Sequence, residues 1–162
     1  MPSHAIIAWC FTAGVLVHNL EEARALPAWS LGERRWYRPV DAREFRVGVI
    51  VVSALLLACA LWVTEMPDGR AARLAFSGYA IAMMLNAIVP HLALSLLEGR
   101  YMPGTATGIA FNIPLGGWWL ARMQGDGVAT RDLVIAGVIG SAVLLAMIPL
   151  SFVFARSLRP RS

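Results

Sequence analysis

Residues Ala5 to Val17 carry no charge, and the next five, His18-Asn19-Leu20-Glu21-Glu22, bring three ionisable side chains at once. At 1.5 Å rise per residue, a helix over the uncharged run covers about 20 Å, short of a hydrocarbon core roughly 30 Å thick. A helix that crosses a bilayer here must take its ionisable residues with it. Pro27 is the first strong stop signal, so a helix is predicted over about 2–26, with the cluster in its last third. His18 stands three and four residues before Glu21 and Glu22, which sets the three side chains on one face. Charge is costly in lipid and normally faces a bundle interior or a wet cavity, so the cluster marks a functional site.

The rest of the chain agrees with a membrane setting. Of 162 residues, 58% are hydrophobic, and the mean hydropathy is +0.63. That is too apolar for a soluble domain and long enough for about four to six membrane helices. The fourteen basic residues are all arginines and mostly flank apolar runs, so they orient a membrane protein rather than bind nucleic acid. Cys10 and Cys59 lie inside apolar runs without metal-site or disulfide spacing. The first apolar run lacks the basic start and cleavage site of a signal peptide and is expected to be a retained helix.

A polar, aromatic stretch follows at 27–40, with Arg34, Arg35 and Arg38 beside Trp29, Trp36 and Tyr37, a mixture suited to the headgroup layer. Asp41 and Glu44 resemble a capping box and start a second helix over 41–64. The third, capped by Asp68, is predicted over 70–98 and contains Pro90, which frees the carbonyl of Asn86 just before His91. A fourth is expected over 103–121, with Pro103 as its first residue and Asn112 beside Pro114. A fifth is expected over 131–155, with Thr130 as N-cap and Gly137, Gly140 and Ser141 available for close packing. No repeat or second domain divides residues 1–162.

Five spans place the termini on opposite sides. With the N-terminus outside, ten arginines fall inside (24, 34, 35, 38, 43, 46, 100, 156, 159 and 161) and four outside (70, 73, 122 and 131). The expectation is an all-α bundle, N-out and C-in, in the cell's inner (plasma) membrane. Trp62, Trp118 and Trp119 then fall near the outer face. His18, Glu21, Glu22, His91 and the loop Tyr101 to Thr105 share the cytoplasmic half, with Arg24 and Arg100 at the rim of a common pocket and Asn112 and Thr105 among its polar lining.

The motifs resemble those of the HXXEE family of bacterial membrane proteins. The eponymous pattern is His18-Asn19-Leu20-Glu21-Glu22, followed by an asparagine and histidine matched by Asn86 and His91. A Tyr-x-Pro-Gly-x-Thr-like motif is matched by Tyr101, Pro103 and Gly104, with Thr105 or Thr107 as the threonine. The resemblance extends over about 5–120. The family's function is undefined, so the resemblance implies a site and leaves its chemistry open.

Two imidazoles and a carboxylate, His18, His91 and Glu22, make a set that suits zinc with an open position or non-haem iron. Glu21 and Glu22 point about a hundred degrees apart on a helix, so one can ligate while the other acts as base or orients a histidine. Glu21, Glu22, Asn86 and Tyr101 are the expected catalytic groups. The leading expectation is an enzyme that hydrolyses or oxidises a small apolar or lipid-like molecule with a divalent metal. One alternative is a metal-free isomerase or cyclase using a buried glutamic acid. Another is a carrier or proton pathway, which the lack of repeated halves disfavours. A zincin helix is excluded, because position 22 is glutamate where the second histidine would stand.

Overall fold

The computed structural model describes residues 3–32 and 39–157. Arg34, Arg35, Trp36, Tyr37 and Arg38 of the interfacial stretch lie outside the described residues, as do Arg159 and Arg161. Among the described residues the chain forms five helical rods and no strand: α1 (His4–Leu31), α2 (Ala42–Glu65), α3 (Arg70–Leu97), α4 (105–125) and α5 (Thr130–Ser157). The helices α2, α3 and α5 are long and apolar enough to cross a membrane.

Several ends differ from the sequence expectation, each for a local reason. Pro27 does not stop α1, which runs on to Leu31. The carbonyl that Pro27 leaves without a helical partner, that of Ala23, accepts from Arg46 Nε at 3.3 Å, so the helix continues without an orphaned acceptor. Asp41 does cap α2, its carboxylate accepting from the amides of Arg43 and Glu44. Glu44, however, pairs with Arg156 at 2.9 and 3.0 Å and ties α2 to the end of α5. The N-cap of α3 is Gly69; Asp68 pairs instead with Arg73 at 3.1 Å. Pro103 lies in the turn before α4, whose N-cap is Gly104 at φ +97°. Thr130 is the first residue of α5 and accepts from Gln124 Nε2.

The main core joins α1, α3 and α4 through an aromatic stack. Phe11 meets Phe76 at 5.6 Å between ring centroids, and Phe76 meets Trp119 at 4.7 Å, both edge to face. Trp119 is therefore no interfacial anchor: it is fully buried and donates from Nε1 to Ser77 Oγ at 2.9 Å.

Helix α5 crosses the bundle on a diagonal. Near its start Gly140 rests on Gly78 so closely that a Cβ at either would strike the other helix's backbone. Near its end, Ser151 and Phe152 pack on Gly48 of α2. The diagonal leaves a gap on each side. The larger, about 890 Å³, is lined by α2, α3 and α5 and is apolar apart from Arg70 and Asp132, paired at 2.8 Å, and the edge groups of Cys59 and Tyr79. The smaller, about 270 Å³, has Asn19, Glu22, Asn86, His91 and Ser141 on an otherwise mostly apolar wall.

Candidate functional site

Helix α3 delivers its histidine by breaking. Val89 leaves the helical region (φ −130°, ψ 113°) ahead of a cis Val89–Pro90 peptide, and the backbone resumes as a helix at Ala93. His91 then points inward, 1% exposed, while Val89 faces out. Its ring meets that of His18 edge to face, with centroids 5.0 Å apart. Glu22, one turn along α1 from His18, places Oε1 2.6 Å from His91 Nε2 and 3.6 Å from His18 Nε2. The ligand-capable atoms of His18, Glu22 and His91 lie within 4.8 Å of one another. Neither ring nitrogen of His91 makes an aligned hydrogen bond, so the short approach of Glu22 is a side-by-side contact.

The other edge of His18 is held firmly. Nδ1 lies 3.0 Å from the Gly104 carbonyl, a pure acceptor, so Nδ1 carries the proton and Nε2 the lone pair. Asn86 Nδ2 lies 3.3 Å from that Nε2 and donates to it, which suits the same tautomer. Thr107 Oγ1 stands 3.1 Å from Nδ1 as a second acceptor, because its own proton goes to Glu21 Oε2 at 2.6 Å. The second oxygen of Glu21 accepts from the Tyr101 hydroxyl. Glu21 and Glu22 thus diverge, one to the α3–α4 loop and the first turn of α4, the other to the cavity.

The remaining expected residues occupy different places. Thr105 is buried and donates to Met102 O at 2.7 Å, with Ser95 Oγ at the same distance. Arg100 lies over the Trp29 ring, 4.5 Å from its centroid, and donates to the Trp29 carbonyl. Arg24 is exposed and does not line the cavity. Asn112 is fully buried in α4 with neither amide atom hydrogen-bonded, and it too is absent from the cavity wall.

Two further polar residues lie on the cavity wall. Asn19, inside the motif, lines the cavity and donates to Ser53 Oγ at 2.9 Å; a polar residue between the motif's charges was the available signal. Ser141, expected to serve helix packing, lines the cavity with its hydroxyl buried and unpartnered.

No solved structure matches this chain. The uncharacterized protein YrkK of Bacillus subtilis (strain 168) is 34% identical over 145 residues, which is 89% of this chain and 90% of the relative. The family model described as a protein of unknown function with HXXEE motif matches residues 9–119, which include His18, Glu21, Glu22, Asn86, His91 and Tyr101. The chain is therefore a member of the HXXEE-motif family.

Proposed function

We propose that this protein is an integral membrane enzyme that acts on a small apolar or lipid-like substrate, with a divalent metal, zinc or iron, held by His18, His91 and Glu22. The convergence of these three side chains, with Glu22 and His91 on the wall of one cavity and His18 fully buried beside them, carries the reading. Two imidazoles and one carboxylate leave coordination positions open for water or substrate. A metal held there would lower the pKa of its water towards ~7 and support hydrolysis in a low-dielectric pocket, whereas oxidation would need a redox-active iron with dioxygen as the oxidant.

The surrounding residues take roles from their contacts. Gly104 and Thr107 set the His18 tautomer, as partners of a ligating histidine do. Glu21 and Tyr101 act through Thr107 as positioning residues. Asn86, beside His18 Nε2, is placed to donate to an oxygen bound at the open position. On this reading the chain makes five spans, N-out and C-in in the inner membrane, as its arginines favour, and the site lies in the cytoplasmic half.

The placement of Glu22 beside His91, Oε1 2.6 Å from Nε2, also supports a second reading, a metal-free acid/base isomerase or cyclase in which Glu22 gives a proton to the substrate and His91 takes one back. Elemental analysis of mildly purified protein, without chelator, decides between them. About one equivalent of zinc or iron, lost in His91→Ala and Glu22→Gln at matched folding, is the result expected for the metal enzyme. A metal-free wild type transfers the assignment to the acid/base pair.

A further inference from the structure

The small cavity opens sideways. Four of its lining residues are strongly exposed on the surface of the bundle: Leu85 (51%) and Val89 (66%) on α3, and Leu145 (71%) and Ile148 (41%) on α5. In a membrane-spanning bundle such side chains face hydrocarbon, so the route to Glu22 and His91 runs from the lipid, between α3 and α5. Two backbone features make the gap: the diagonal of α5 after its Gly78–Gly140 crossing, and the break of α3 at Val89.

The lining selects the ligand. At about 270 Å³ the cavity stands at the lower end of the ~300–1,000 Å³ range of ligand sites, and its side opening lets a longer molecule seat one end in it. Among the described residues no arginine lines it and Glu22 is its one acidic side chain, which disfavours a phosphate headgroup. Ser141 Oγ, on the α5 wall, is buried without a partner and is available to a neutral oxygen.

We propose that the ligand is a long single-chain amphiphile with an uncharged oxygen-bearing end, which enters between α3 and α5, sets that end against Glu22, His91 and Ser141, and leaves most of its chain in the bilayer. This deepens the enzyme reading and rests on its placement of the reactive end.

The test uses the full chain in phosphatidylcholine vesicles and hexadecanol carrying a mid-chain diazirine. Photolabel should concentrate at residues 85–89 and 145–148 and be displaced by unlabelled hexadecanol. It should fall to background in Ile148→Trp, which fills the portal, and persist in Ile135→Trp, which lies in the other gap. Ser141→Ala should weaken hexadecanol competition by about 2–10-fold. Label that is not displaced, or that Ile148→Trp leaves unchanged, is ordinary lipid contact and overturns the proposal. Metal content measured on the same preparations separates the two ideas. Wild-type metal in Ile148→Trp with undiminished label rejects the portal alone, whereas portal-dependent label on a metal-free protein rejects the metal alone.

Discussion

His18 and Gly104 are 86 residues apart in sequence, yet the ring Nδ1 of one lies 3.0 Å from the carbonyl oxygen of the other. This contact directs the remaining nitrogen of His18 toward Glu22, and it depends on a glycine. At φ +97° the backbone is left-handed, and a Cβ on residue 104 would come within 2.8 Å of His91 Nδ1 and 2.9 Å of His18 Cε1. Gly104→Ala should therefore displace both rings and abolish metal binding, with a stability cost of about 1–2 kcal/mol from the backbone alone. Metal content and thermal unfolding measured together check it; an alanine variant with wild-type values of both refutes the arrangement.

Thr107 reaches the site through its hydroxyl alone, accepting from His18 and donating to Glu21. Thr107→Val keeps the shape and removes both bonds. Metal affinity should drop ~10–100-fold, with Thr107→Ser restoring most of it. Competition with a chelator gives the affinities, and equal values for valine and serine variants would remove Thr107 from the site.

The same substitution should have opposite effects at two glycines. A Cβ at Gly78 strikes the Ala136 carbonyl at the α3–α5 crossing, whereas a Cβ at Gly117 meets nothing within 4 Å. Gly78→Ala should destabilise by about 1–3 kcal/mol through overpacking. Gly117→Ala should be neutral or stabilise by about 0.5–1 kcal/mol, since alanine favours helix. Unfolding in detergent measures both, and a harmless Gly78→Ala would mean the helices do not cross there.

At the other end of the bundle His4 bonds Asp126, joining the start of α1 to the end of α4, with Arg122 at 3.2 Å and Arg73 at 3.8 Å. The His4 hydrogen bond, the largest influence, holds the Asp126 carboxyl below its ordinary value of 3.8; desolvation, next in size, opposes it, and the charges of Arg122, His4 and Arg73 add to the lowering. A depressed carboxylate contributes stability that is complete above its ordinary value and is lost as pH falls through the lower folded value. Wild type should thus melt above Asp126→Asn at about pH 5–7, and the difference should close below about pH 3.8. A difference that persists unchanged in acid would show that the carboxylate's charge is not what joins these helices.

The helices were legible because their signals are local. Apolar runs and the Asp41 cap lie within a few residues of the boundaries they set. The stop expected at Pro27 failed because its remedy, Arg46, comes from another helix. Trp119 was misplaced for a similar reason: a tryptophan near a span end reads as an anchor until Ser77 and Phe76 enclose it.

By itself the sequence determined an all-helical chain with membrane-length apolar helices, and it singled out His18, Glu22 and His91. An ionisable residue in an apolar helix needs a partner whatever surrounds it. Only the tertiary structure decided how the polar residues divide. A helix turns about 100° per residue, so adjacent glutamates must face different neighbours, and which faces the cavity depends on what packs there. The α3–α4 loop and the first turn of α4 take Glu21, through Tyr101 and Thr107 respectively, while the break at Val89 turns His91 toward Glu22. Arg24 and Arg100, placed at the pocket rim by depth alone, lie off the cavity wall, because depth along the bilayer does not specify direction around a helix.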